Sequence, residues 1–394
     1  MFTASEIKEQ IRNGTFKEEE VDVVSCGTFG VMSGTLAALT VPVADVGTFK
    51  KADTITLNGV PASPGPCPNE DLGIVDCIVN GTSHRDHRYG GGHLFRDLVE
   101  GKDIHVSVTS DGEVYERFVK LDDIPFARMI VIRGGFKNYN SFINPTENDF
   151  ETIFAAGSGL HGPLKEITVS GCGEINPLEN DPERRYIQSG APLLINGSRG
   201  IIIGPGSRSN PARPNLSAAA NMKWMIPELM GGFITSQGPE CLTSMAMAIP
   251  IVDKRSVKGI SVLDENIELS ISDIRTRAPI EYDNYGSVWS GTDWSISVST
   301  EDCIGCGDCI AAVSCPLGAI SHAKIDAGKC MNCGTCVGTC VGKIFSGNLG
   351  EMTFGGRKIP ISLRQSDRLK GERISHILKD RVVSGKWSLN GCID

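Results

Sequence analysis

The sequence predicts an α/β (mixed) large domain, interrupted near its C-terminal end by an inserted, cysteine-rich α+β module. Two observations carry this. Short runs with strand alternation mix with helical patterns over the first 300 residues, punctuated by glycine. Eight of the 14 cysteines then fall between Cys303 and Cys340, in two matching groups. A chain of 394 residues has room for two or three domains at roughly 150 residues each. The boundaries fall at 1–300 for the large domain and 301–350 for the insertion. Residues 351–394 form a strand pair and an amphipathic helix that return to the large domain.

Thr3-x-x-Glu6 reads as a capping box opening a helix with Ile7 and Ile11 inward, ended by Asn13-Gly14. Val21 to Val24 reads as a strand closing in a glycine turn, Cys26 to Gly30. Asp53 to Val60 and Ile74 to Val79 read as strands, and Leu94 to Val99 as a short helix after Tyr89-Gly90-Gly91-Gly92-His93. Asp103 to Thr109 and Glu113 to Val119, joined by Ser110-Asp111-Gly112, give a hairpin signal. Met129 to Ile132, Ile167 to Val169 and Ile201 to Ile203 read as short strands bounded by glycines. Asn215 to Trp224 reads as a helix capped by Asn215. The tail helix, near Gln365 to Val383, places Ile374, Ile377 and Leu378 on one face.

The net charge of −9 argues against a general nucleic-acid binder. No stretch of about 20 apolar residues is present to cross a membrane, and Met1 to Gly14 lacks a signal-peptide core. A soluble, cytoplasmic protein is expected. Dense cysteine clustering in such a chain points to metal, where a secreted disulfide scaffold would spread its cysteines out.

The first group is Cys303-x2-Cys306-x2-Cys309 with Cys315-Pro316, the second Cys330-x2-Cys333-x2-Cys336-x3-Cys340, an internal repeat of 27 residues. Three cysteines at this spacing wrap one iron–sulfur cube, and the fourth reaches the other cube. Cluster one therefore takes Cys303, Cys306, Cys309 and Cys340; cluster two takes Cys330, Cys333, Cys336 and Cys315. Structural zinc instead favours two Cys-x2-Cys pairs. The segment resembles bacterial two-cluster ferredoxins, which implies two [4Fe-4S] clusters and one-electron transfer. It departs at the five residues between Cys309 and Cys315, and at Val341 in place of the usual proline.

Outside this segment, Val24-Ser25-Cys26-Gly27-Thr28-Phe29-Gly30, Tyr89 to His93, Asp97 to Lys102, Gly173 to Pro182 and Gly385-Lys386-Trp387 stand out. Together they resemble the homocysteine-biosynthesis family, whose members include L-aspartate semialdehyde sulfurtransferases. The resemblance is closer to the subfamily of methanogenesis marker 16 metalloproteins, which carries the ferredoxin segment in the same chain. It implies reductive sulfur insertion, in which a small anionic aldehyde, a sulfide or persulfide donor and a low-potential electron donor yield a thiol. For methanogens the leading substrate is sulfoacetaldehyde, giving coenzyme M; aspartate semialdehyde, giving homocysteine, is the alternative. The cysteines expected of the aspartate-semialdehyde enzymes are missing here, the regions reading Val31-Met32-Ser33 and Asp111 to Val114. A non-enzymatic electron-delivery or assembly component for a methanogenic metalloenzyme is the rival class. A homo-oligomer is compatible with either.

A sulfur-carrying nucleophile must be a thiolate near positive charge or backbone N–H groups. Cys67 in its Pro/Gly loop, Cys26 after a strand and Cys172 between two glycines are the candidates. His93 is the candidate acid/base or carbonyl-polarising group. Arg85, Arg88 and Arg184 are the candidate anion-binding residues.

Overall fold

The computed structural model describes residues 1–65, 71–135, 137, 139–171, 173 and 177–388. Its N-terminal helix α1 (Ala4–Arg12) opens with the expected capping box: Thr3 Oγ1 accepts from Glu6 N, and Glu6 Oε2 accepts from Thr3 N at 2.7 Å. The body is a mixed α/β structure built on a 14-stranded sheet among the described residues. Its labelled strands are β1 (Val23–Val31), β2 (Thr35–Pro42), β3 (Thr54–Leu57), β4 (Val60–Pro64) and β5 (Ile74–Asn80). After helix α2 (Gly91–Val99) come β6 (Ile104–Ser110), β7 (Glu113–Val119), β8 (Phe126–Gly134), β9 (Pro192–Ile195), β10 (Ser198–Pro205) and β11 (Leu216–Asn221). The hairpin β12 (Gly231–Thr235) and β13 (Gly238–Pro250) completes them. From the edge strand Phe2–Thr3, which pairs with β1, the order across the sheet is β1-β13-β9-β10-β11-β8-β2-β5-β4-β3-β6-β7, with β12 paired to β13 as the fourteenth strand. The β6–β7 hairpin turns on Asp111 and Gly112, both at positive φ, as a type I′ turn requires.

Three expected elements are corrected. Cys26 to Gly30 is no turn but the centre of β1, in register with β13 throughout. Gly27 serves close approach instead: an added Cβ would lie 2.3 Å from Gly371 O and from Ser375 Oγ. Asn215 to Trp224 is no helix; it is β11 followed by one 3-10 turn at Met222–Trp224. Its alanines favour helix locally, but β8 and β10 pair with both edges and bury alternate residues, so tertiary pairing wins. The single strand expected over Asp53 to Val60 is a hairpin turning at Asn58-Gly59.

The cysteine-rich segment contributes two short helices, α3 (Ile310–Ser314) and α4 (Thr335–Thr339), and small two-stranded ladders. The chain then forms a hairpin, β14 (Glu351–Phe354) and β15 (Arg357–Arg364), and the long helix α5 (Arg368–Val383). β15 joins a second, six-stranded sheet beside Ile167–Ser170. α5 lies across β1: Ser25 Oγ donates to Ser375 O at 2.8 Å, and Ile374 and Leu378 are fully buried against Leu194 and Ala246. Among the described residues no helix is long and apolar enough to cross a membrane.

Gly27→Ala is expected to wedge α5 off β1, since the obstructing atom is backbone. A loss of about 3 kcal/mol, read as a lower urea midpoint at unchanged slope, checks it.

Candidate functional site

Local geometry gathers the second cysteine group. Cys330, Cys333 and Cys336 share one loop leading into α4, and Cys315 ends α3. Burial pushes all three thiols up, Cys336 to about 12, and Cys315 adds to each from close by. Ala319 N donates to Cys315 Sγ and Asn332 N to Cys330 Sγ, both at 3.3 Å. Thr335 Oγ1 lies 3.4 Å from Cys333 Sγ. These thiols, poorly solvated as thiolates and met at Cys315 and Cys330 by N–H donors, suit a cationic metal centre. The residues present thus fit an iron–sulfur cluster. Among the described residues no three His, Cys, Asp or Glu side chains converge on a single-ion site. Thiolates of a cube each meet a different iron, so such convergence is not required of them. In the first group Cys303 and Cys306 are exposed, and Cys309 and Cys340 are half-buried at the start of α3 and the end of α4.

The second group sits against the large sheet. Met331 and Cys333 pack on Phe29, Phe233 and Leu242. Ile234 N donates to Pro316 O, and Arg364 N to Cys333 O, both at 2.9 Å. Asn332 Nδ2 donates to Asp367 Oδ2 at 3.0 Å. Lys370, near the start of α5, donates to Glu228 O and Gly328 O. Burial lowers its ammonium to about 8, against the pull of Asp367.

Beside this contact lies a cavity of about 150 Å³ between α2 and the cysteine-rich segment. His93, Arg96, Asp97, Lys102, Leu317 and Lys329 are among its lining residues. Leu317 is two residues past Cys315, and Lys329 immediately precedes Cys330. His93 Nδ1 accepts from Gly90 N at 3.3 Å, and its ring stacks on Tyr89. Burial lowers the imidazole to about 4, so at neutral pH it is uncharged. With Nδ1 accepting, the hydrogen is assigned to Nε2, which is a donor. Gly232 is required opposite: a Cβ there would stand 2.1 Å from His93 Nδ1. Tyr89 OH donates to Asp97 at 2.6 Å, while Lys102 and Arg96 pair with Asp97 and Glu100. Arg96 Nη1 also reaches Gly328 O, the carbonyl that Lys370 holds.

Of the sequence candidates, Cys67 and Cys172 lie outside the described residues. Cys26 is fully buried in the main core, opposite Met247. Arg85 pairs with Asp86 and covers the Tyr89 ring at 4.7 Å. Arg88 donates to Val313 O at 2.6 Å, tying this loop to α3. Arg184 is elsewhere, exposed in the loop after Pro177–Asn180. Arg96, Lys102, Lys329 and Lys370 were not singled out by sequence. Arg96 with Glu100 reads as an ordinary i,i+4 helix pair, and Lys370 as one charge in a basic tail.

The family model described as "Homocysteine biosynthesis enzyme, sulfur-incorporation" matches residues 1–389. An uncharacterised protein of Methanothermobacter thermautotrophicus is 41% identical over 98% of this chain and 90% of its own length. One from Methanocaldococcus jannaschii is 36% identical, over 99% of this chain and 98% of its own. The L-aspartate semialdehyde sulfurtransferase of Methanosarcina acetivorans is 28% identical over 69% of this chain, which spans 56% of that protein. No solved structure matches this chain.

Proposed function

The chain belongs to the homocysteine-biosynthesis, sulfur-incorporation family, and from that premise we propose that it is a sulfurtransferase converting a small anionic aldehyde into a thiol. We read the chain as a methanogenesis marker 16 metalloprotein and assign it, as our own hypothesis, sulfoacetaldehyde as substrate and coenzyme M as product. The observation that carries this reading is the small, charged cavity shared by His93 and by Leu317 and Lys329, which flank the second cysteine group in the chain.

In the balanced reaction one aldehyde, one hydrogen sulfide, two electrons and two protons give one thiol and one water; a persulfide donor needs two electrons more. Two [4Fe-4S] clusters, held by Cys303, Cys306, Cys309 and Cys340 and by Cys330, Cys333, Cys336 and Cys315, would supply one electron each. The chain's own residues do the rest. Lys329, Arg96 and Lys102 give the cavity a positive wall for a sulfonate or carboxylate, although they share their charge with Asp326, Glu100 and Asp97 respectively. His93 Nε2–H donates to the aldehyde oxygen and stabilises the oxyanion as sulfur adds. Cys67 or Cys172 carries the sulfur; the buried position of Cys26 leaves it the weakest of the three candidates.

The test is anaerobic incubation of iron-loaded protein with sulfide, a low-potential reductant and each aldehyde separately, with thiols read by mass spectrometry. Coenzyme M from sulfoacetaldehyde is expected. Homocysteine from aspartate semialdehyde transfers the assignment to the substrate named for the relatives. Neither thiol, with clusters shown reducible, overturns the enzymatic reading in favour of an electron-delivery component. Within the same assay, His93→Ala is expected to lower kcat about 100-fold with KM little changed, and His93→Gln, which keeps an N–H donor, to recover part of it. Because the imidazole titrates near 4, the wild-type pH–rate profile is expected to show no His93 step between pH 5.5 and 8. A step there that vanishes in His93→Gln overturns the neutral-donor role.

A further inference from the structure

The two cysteine groups are copies of one sequence pattern, and the large domain covers only one of them. With the 27-residue offset, Ile304 corresponds to Met331 and Ile310 to Val337. Each lies next to a cysteine in its loop, as Val341 does after Cys340 and Pro316 after Cys315. On the second group these neighbours are covered. Met331 is 0% exposed against Phe29, Phe233 and Leu242, Pro316 is buried and Val337 is half-buried. On the first group the same positions stay apolar and bare: Ile304 is 65% exposed, Ile310 50% and Val341 66%. Ile304 also packs over Gly342, which places it beside the Val341 backbone. The thiols of Cys303 and Cys306 are themselves exposed in this face.

The surrounding charge is mainly negative. Glu301, Asp302 and Asp308 are exposed, and no Lys or Arg occurs between Arg277 and Lys324. Lys343 is the nearest cation along the chain to Val341, and Arg88 reaches α3 only through Val313 O. Apolar residues that surround exposed thiols, edged by carboxylates, make poor solvent-facing surface but a good transient contact.

We infer that this face is the docking surface for a separate redox protein whose own centre lies under an apolar edge rimmed by Lys and Arg. The inference rests on the cluster reading above. With a cluster held by Cys303, Cys306, Cys309 and Cys340, the donor's reduced centre would lose one electron on docking and that cluster would gain it. The covered second group then lies on the substrate side, against the His93 cavity, so the repeat acquires direction: a bare half for entry and a buried half for delivery.

Cytochrome c, a basic protein with an exposed haem edge, is the probe. Its binding to the oxidised, iron-loaded protein is measured by calorimetry at low ionic strength. Its reduction by the pre-reduced protein is followed by stopped flow, with methyl viologen as a small control. Glu301→Lys/Asp308→Lys is expected to weaken binding and slow reduction about tenfold or more, and to flatten the salt dependence. Electron exchange with methyl viologen, a small dication that buries no interface, is expected to fall far less than that with cytochrome c. Glu18→Lys/Glu19→Lys, on a distant exposed acidic turn, is expected to have no effect. Iron content is measured on every variant; if Asp308→Lys loses iron, Glu301→Lys and Val341→Lys carry the test. Equal loss in the Glu18/Glu19 variant, or none at Glu301, overturns the proposal. So does a wild-type dimer that Val341→Lys splits, since a second copy then covers the face. Wild-type protein that takes up no iron sinks the cluster reading itself, before any docking is measured.

Discussion

Replacing Cys333 by Ala is expected to lower bound iron from about eight atoms per chain to about four and to abolish thiol formation, while the protein stays folded. The argument is local. Cys333 Sγ faces Thr335 and lies close to Cys315 and Cys330, whereas its backbone carbonyl, untouched by the substitution, still accepts from Arg364 N. The contact with the large sheet also keeps Met331, Leu317 and their apolar partners. Compared as iron-free proteins, stability should fall by no more than the truncation of one small buried side chain, about 1 kcal/mol; with iron loaded, the variant also loses what the cluster contributes. Cys303→Ala should likewise cost about four irons, but from the exposed group, leaving the signal of the buried cluster in place. Iron and sulfide analysis with low-temperature spin resonance of the reduced protein separates the two. One zinc per group in place of iron, or full iron in both variants, would refute the ligand assignment.

Why the cysteine pattern was readable and its surroundings were not follows from where the information sits. Cysteine spacing is a local property, and so are the capping box at Thr3 and the Asp111-Gly112 turn; each needs only a few consecutive residues. Gly27 is the opposite case. It reads as a turn because glycine usually marks one, yet its cause is Gly371, more than 300 positions away, crossing the strand. Leu216 to Asn221 misleads for the same reason: alanine's helical preference is local, and the two neighbouring strands that override it are not. The cavity beside His93 is assembled from α2, the β12 glycines and two residues of the cysteine-rich segment. Tyr89 to His93 and Asp97 to Lys102 stand out in the sequence, but only His93, with three glycines before it, carries a chemical role there.

The second large effect is expected at Arg368, whose replacement by Ala should destabilise the protein by about 3–5 kcal/mol. Its guanidinium grips Asp264 with both nitrogens, at 3.0 and 2.7 Å, and both side chains are almost completely buried. Burial alone would raise the Asp264 carboxyl; Arg368, with Lys8 and Arg12, overrides it and holds it at about 2. Removing Arg368 leaves the buried carboxylate with only the more distant Arg12, at 3.4 Å, and the field of Lys8, which is where most of the loss arises. Arg368→Met/Asp264→Leu, which removes both, should recover much of it. The sign with pH follows from a folded value below the ordinary one of about 3.9. The contribution is complete above that value and is lost as pH falls towards 2, so the wild type and Arg368→Ala should converge in stability in acid. The same side chain donates from Nε to Gly173 O at 3.1 Å, and Gly173 has no room for a Cβ against Asp367. Arg368 therefore ties the start of α5 to the residue that follows Cys172. If Cys172 carries the sulfur, Arg368→Lys should reduce kcat at temperatures where the variant is still folded. The double Met/Leu variant should regain stability without regaining rate. Recovery of both together would make Arg368 a purely structural residue and shift the search for the sulfur carrier to Cys67.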